Sequence, residues 1–302
     1  MFESDHDRCR KLSTEAMEIH SKDGNKRGVA ISLNNIGWSA LNQSQLQVGL
    51  DAFEESRRIR EELGDERGVA FLQVNSGWAS IRSGRHAEAR TMIERGLKTT
   101  TAIGDQQLRS WSLAMLGNLY DDLGDYGKAL PLLSESIAIM AEVGNIWTVI
   151  FEQCSLARVL HHSGDPEKAY ALLTLLQKEI EGTQTLWIEG IVGYEMGSAC
   201  FALGDHEPSI GYYRRSLELR ESVSDLLGIA QCLVGYAEHF RHRGDNETAG
   251  GLCRLAHSIC VGHGGHLPAW EEAVANDILS LPGAAGAELS SLEDAHKKID
   301  RL

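Results

Sequence analysis

Leu33, Ile36, Gly37 and Ala40 follow one another at spacings of three, one and three, which places them on a single stripe of a helix. A little further on, Phe53 and Ile59 lie on the apolar side of a second helix, while Glu54, Glu55, Arg57 and Arg58 supply its solvated face. The pattern then recurs. Stepping by forty from Gly37 gives Gly77, Gly117, Ala157, Gly197 and Ala237, all small residues. Twelve places after each stand Gly49, Ala89, Ala129, Ala169, Ser209 and Ala249, again all small. Seven further on come Ser56, Gly96, Ser136, Leu176, Ser216 and Ala256. Small residues at such places let two helices approach closely, and a fixed period of this length is the mark of a repeat architecture.

The punctuation has the same period. Ser83-Gly84, Leu123-Gly124-Asp125, Ser163-Gly164-Asp165, Leu203-Gly204-Asp205 and Arg243-Gly244-Asp245 fall between the first two small columns. Each Gly is a helix stop, and the four Asp residues are placed to cap the helix that follows. Pro166 suits the first turn of such a helix, where its missing N–H costs nothing. A second set of stops separates one pair from the next: Gly24-Asn25, Gly64-Asp65, Gly104-Asp105 and Gly144-Asn145, degrading to Gln184 and Ser224-Asp225. The opening pair has Gln43-Ser44 in place of a Gly-Asp turn, and an irregular turn is expected there. Each unit would bury its apolar face by stacking on its neighbours, as in an α-solenoid.

These small columns and Gly-Asp turns resemble the tetratricopeptide repeat family, in a forty-residue form, over about nine tenths of the chain. The resemblance implies an all-α fold, a right-handed α-solenoid of helix-turn-helix repeats. Residues 1–27 then read as a half repeat, because Cys9, Ser13 and Ala16 occupy the columns of Gly49, Phe53 and Ser56 with no first helix before them. Residues 28–267 hold six repeats, and 268–302 a capping helix, "PAWEEAVANDILSL", and a polar tail expected to fray. The half repeat would leave an apolar face uncovered, which suggests a fragment of a larger protein.

Composition narrows the functions. The 302 residues carry a formal charge of -14, so the basic footprint that phosphate contacts require is absent and no direct nucleic-acid binding is expected. Neither a signal-peptide core nor a membrane-length apolar run occurs, and a cytoplasmic location is expected with no membrane partner. The six cysteines form no C-x-x-C pair and mostly sit in apolar helical patterns, where a thiol behaves as a small hydrophobe. The Gly-Lys of "GDYGKAL" lacks the spacer and following Ser or Thr of a phosphate loop, and neither a Gly-x-Ser-x-Gly elbow nor a His-Glu-x-x-His helix is present. No enzyme activity and no cofactor are expected. Cys253, His257, Cys260, His263 and His266 have donor types that would suit zinc, but their spacing matches no finger and Cys253 falls in the core column of Phe53 and Tyr213; no metal is expected. His161-His162 reads as a solvated or groove-facing pair.

Candidate chemistry lies on the other side of the first helices. Positions six and three before the anchor glycine, and one and four after it, share one face. In tetratricopeptide proteins that side lines the concave groove, so the resemblance implies a ligand-binding set of Asn34, Asn35, Trp38, Asn75, Trp78, Arg82, Asn118, Arg158, His161 and Tyr194. Asn35 and Asn75 fall where peptide-binding members use Asn to hold a backbone, since the amide donates and accepts at once; the alternative is that each ties neighbouring helices together. Trp38 and Trp78 are anchors for an apolar ligand side chain or inter-repeat packing. The function expected is a binding module for a peptide, protein segment or effector. "SRRIREELGDERGVA", "SESIAIMAEVGN" and the Ala/Gly-rich tail further resemble the effector-sensing end of bacterial LuxR/MalT- and STAND-type regulators, which implies signal-responsive transcription control for a parent protein. The alternatives are a structural scaffold that self-associates, with a homodimer as its simplest form, and a sensor linked to an enzyme.

Overall fold

A computed structural model of the chain describes residues 5–43, 45–183, 185–262, 265–286 and 289–302; Ser44, Gln184 and His263, named above, lie outside the described residues. Fifteen helices and no strand occur among the described residues. A lone helix α1 (Asp5–Lys22) precedes six pairs: α2 (Lys26–Asn42) with α3 (Leu46–Glu62), α4 (Glu66–Arg82) with α5 (His86–Ala102), and α6 (Gln106–Asp122) with α7 (Tyr126–Val143). There follow α8 (Ile146–His162) with α9 (Pro166–Ile180), α10 (Leu186–Ala202) with α11 (His206–Ser222), and α12 (Leu226–His242) with α13 (Asn246–Gly262). Two single helices, α14 (Ala269–Leu279) and α15 (Leu292–Ile299), end the chain. The first helices begin at Lys26, Glu66, Gln106, Ile146, Leu186 and Leu226, each forty residues after the last.

The small columns are where partner helices meet. A Cβ on Gly37 would sit 2.5 Å from Phe53 Cε1, and one on Gly197 would sit 2.7 Å from Tyr213 Cδ1. Each glycine is thus the seat for the large core side chain of the second helix, and alanine there would force that ring aside. The third column adds a hydrogen bond: Ser56, Ser136 and Ser216 Oγ donate to the carbonyls of Ala30, Ser110 and Gly190 at 2.7, 2.8 and 2.7 Å. A buried hydroxyl so satisfied costs little, and it pins the second helix to the first.

The expected capping is corrected in its placing. Asp125, Asp165 and Asp205 occupy N-cap positions but make no side-chain cap bond. The carboxylates of Asp125 and Asp165 go instead to Lys128 and Lys168, one turn on. Asp245 does cap, accepting from Thr248 N at 3.0 Å. Side-chain caps are otherwise concentrated in the linkers between pairs, where Asn25, Asp65, Asp105, Asn145 and Asp225 accept from Gly28, Gly68, Leu108, Thr148 and Gly228 N at 2.9 to 3.2 Å.

The chain folds as two compact units. Unit 1 contains α1 to α7 and α8 as far as Glu152; unit 2 contains α8 from Gln153, α9 to α13, and the segment from His266 to Leu302. In unit 1, Leu41, Leu46, Phe53, Leu72 and Ala79 form a buried cluster against which Trp38 and Trp78 pack. In unit 2 the core runs through Tyr213, Leu233, Tyr236, Cys253 and Cys260 to Ile278, Ala295 and Ile299. The tail expected to fray is therefore docked. Ala295 and Ile299 are buried, and His296 Nε2 lies 2.7 Å from Glu221 Oε1.

Candidate ligand-binding faces

In unit 1 the first helices bring three indoles together. The ring centroids of Trp38 and Trp78 are 5.3 Å apart and those of Trp38 and Trp111 6.3 Å, with Phe53 edge-on beneath at 5.9 Å. Such tilted and edge-to-face contacts are the favourable arrangements of aromatic quadrupoles. All three tryptophans are half-buried rather than enclosed. The Arg82 guanidinium lies 5.0 Å from the centre of the Trp78 ring, within cation–π range, and its Nη1 donates to the Leu41 carbonyl at 3.2 Å.

The two asparagines at the same register have different fates. Asn75 is fully buried: its Oδ1 accepts from Trp111 Nε1 at 3.2 Å, and its Nδ2 approaches Asn34 Oδ1 at 3.5 Å. It ties α2, α4 and α6 together. Asn35, on α2, is exposed. Asn34 and Asn118 are half-buried. Among the described residues, the Asn34 amide N–H2 and the indole N–H groups of Trp38 and Trp78 donate to no protein acceptor. The face is aromatic and rich in unused donors, a chemistry that suits carbonyl or carboxylate oxygens flanked by apolar groups.

The remaining predicted residues, Arg158, His161 and Tyr194, are in unit 2, and they meet residues that sequence reasoning did not single out. Arg158 Nη1 faces the buried Glu195 carboxylate at 3.9 Å. His161 Nε2 is 3.1 Å from Ser198 Oγ, and its ring stands edge-on to Trp270 at 5.6 Å; His162 stacks flat on the same indole at 4.4 Å and 12°. Tyr194 is enclosed, donating its hydroxyl to Glu271 Oε1 at 2.7 Å, and that oxygen also accepts from Gln231 Nε2 at 2.9 Å. Burial, with the Glu271 charge next, holds the Tyr194 phenol well above its ordinary pKa. Beside them burial, opposed by Arg241 and assisted by the Glu271 charge, pushes the Glu238 carboxyl up to about 7. Trp270 and Glu271 belong to α14, which the sequence presents as an end cap. Its Pro-Ala-Trp-Glu-Glu start, a large amphipathic ring beside an acid, was the available signal.

The candidate metal donors do not converge. Cys253 and Cys260 are core side chains, His257 pairs with Glu272 at 3.0 Å, and no group of three or more His, Cys, Asp or Glu placed to hold a metal occurs among the described residues. Nor, among them, is any helix long and apolar enough to cross a membrane.

Antiparallel helix pairs repeating every forty residues, closed by small–small contacts, define an all-α repeat protein. Models of the tetratricopeptide repeat family match residues 68–142, 153–173 and 194–223. No curated protein matches the chain in sequence. Among solved structures, a Rap protein complexed with Competence and Sporulation Factor is similar at TM-score 0.63 and 11% identity, over 92% of this chain and 76% of that one. The Rap conjugation gene regulator of plasmid pLS20, in complex with the Phr* peptide, is similar at TM-score 0.62 and 12% identity, over 89% and 80%. A STAND signal-transduction ATPase with a tetratricopeptide repeat sensor, from Pyrococcus horikoshii, is similar at TM-score 0.55 and 12% identity; the match covers 89% of this chain and 42% of that protein's length. At such identities the likeness is one of fold.

Proposed function

We propose that the protein is a non-catalytic binding module that holds a peptide or protein segment on the inner faces of its first helices, as part of a bacterial cytoplasmic signalling or transcription regulator. The observation that carries this reading is the unit 1 face, where Trp38, Trp78 and Trp111 cluster around the Asn34–Asn75 pair with Arg82 at the edge. Indoles half-buried over a packed core offer rigid apolar area at small entropic cost, and the unused N–H groups of Trp38 and Trp78, with that of Asn34, can donate to backbone carbonyls. One of the similar folds is a Rap regulator in complex with the Phr* peptide, which supports the same ligand class here. The acidic balance of the chain weighs against nucleic acid.

The test is a peptide-display selection on the full chain, followed by fluorescence anisotropy of each enriched peptide against the parent and against a Trp78→Phe/Arg82→Ala variant whose circular dichroism matches the parent. Loss of a hot-spot aromatic or arginine contact costs about 2 kcal/mol, so affinity should fall at least about tenfold. Peptides that bind both proteins equally, or no enrichment at all, would remove the unit 1 face as the site; concentration-dependent self-association by light scattering would then favour a scaffold.

A further inference from the structure

A helix that only closed the end of a repeat stack would touch the last pair. α14 packs on α12 and α13, but its first turn reaches further, to the first helices of the two preceding pairs in unit 2. Trp270 stacks on His162 and stands edge-on to His161 of α8; Glu271 accepts from Tyr194 of α10 and Gln231 of α12; Asp277 Oδ2 meets Arg241 Nη1 at 2.5 Å. Gln231, Tyr194, His161 and Arg241 stand six and three before, and four after, their anchors at 237, 197, 157 and 237, the register of the inner face. The turn is seated on that face as a ligand would be.

The seating is polar and imperfect. Glu271 is almost fully buried, yet its Oε2 has no hydrogen-bond partner. It also crowds Glu238, whose carboxyl is held up to about 7. A buried carboxylate left half-satisfied is a net cost to the fold, so this turn is held less firmly than the rest of α14, where Ala275 and Ile278 are anchored in the core.

We propose that the inner face of unit 2 is a recognition site for a peptide that presents an aromatic residue directly followed by an acidic one, and that the chain's own Pro268–Glu272 turn occupies this site as a displaceable strap. The strap keeps the face closed until a competing peptide of the same chemistry takes the stack on His162 and the hydroxyl of Tyr194. This deepens the peptide-binding reading and rests on it only in that inner faces accept peptides; the residues are separate from those of unit 1.

The test uses a fluorescein-labelled peptide of residues 266–274, HLPAWEEAV, titrated by anisotropy into the full parent chain and a full-chain Trp270→Ala/Glu271→Ala variant. The variant should bind at least about tenfold more tightly than the parent, because a tethered competitor acts at an effective concentration on the order of mM. A peptide with the same two positions changed to alanine should bind neither. Equal binding to parent and variant, or none to a variant that keeps its circular dichroism, overturns the proposal. Should the variant not fold, fluorine NMR of the parent labelled with 5-fluorotryptophan, the Trp270 line assigned by Trp270→Phe, gives the same decision: peptide at about 1 mM should move that line, and an unmoved line overturns the strap. Trp38, Trp78 and Arg82 are intact in every arm, so failure here leaves the unit 1 selection to be judged by itself.

Discussion

Glu152 is a fully buried acid whose Oε1 is 3.4 Å from Ser110 Oγ and whose Oε2 has no partner. Burial, only partly offset by hydrogen bonds from Ser136 and Ser110, raises its carboxyl from 4.5 to about 7. The folded state therefore keeps a proton that the unfolded chain releases once the pH passes 4.5. Stability must then fall as pH rises from about 4.5 to about 7, and the penalty persists above that. Glu152→Gln abolishes the titration in near-identical volume. We expect the variant to be more stable than the parent by about 1–3 kcal/mol at pH 8, with the advantage gone near pH 4.5, in urea unfolding followed by circular dichroism. A pH-independent difference would mean that Glu152 is not the group titrating. No sequence pattern marks this residue, because its neighbours Ser110 and Ser136 lie 42 and 16 positions away (152 less 110 and 136) and only the fold brings them together.

The linker turns show the repeat acting on single elements. Gly24, Gly64, Gly104 and Gly144 all adopt left-handed backbone angles, and at the degraded linker Ser224 takes the same conformation at φ 57°. The turn is thus imposed by the stacked helices on either side, against the preference of an L residue, at a cost of about 1–2 kcal/mol. A Cβ at Gly64 would meet nothing within 4 Å, so substitution there tests backbone preference alone. Gly64→Ala should lower stability by about 1 kcal/mol, whereas Ser224→Gly should raise it by about 0.5–1 kcal/mol, both read from denaturant midpoints. A loss at Ser224→Gly would show that its hydroxyl or chain entropy outweighs the angle. Helix pairs, stops and period were legible because each depends on neighbours a few residues apart. The cap at Asp125 was misjudged for an equally local reason: Lys128 sits one turn away and draws the carboxylate outward. The seat of α14 was not legible, since an eleven-residue helix can cover an end or a face with the same apolar pattern.

For the molecule as a whole, the formal charge of -14 acts on association more than on fold. Phosphate backbones should be repelled at low ionic strength, where basic proteins bind most tightly, and a gel-shift titration of the chain with duplex DNA at about 50 mM salt should show no complex. A retarded band that weakens with added salt would point to a local basic surface and remove this expectation. The amino-acid sequence by itself determined the all-α class, the forty-residue period and the columns of Gly, Ala and Ser on which helix pairs close, because those follow from short-range spacing and side-chain volume. It also singled out Trp38, Trp78, Asn75 and Tyr194. What it could not separate was solvent-facing from enclosed: Asn35 and Asn75 share a register, yet one is exposed and the other buried between Asn34 and Trp111. That difference, like the reach of Trp270 and Glu271 to α8, α10 and α12, was decided by tertiary structure alone, because burial and pairing depend on which distant segments the stacked helices bring within a few ångströms.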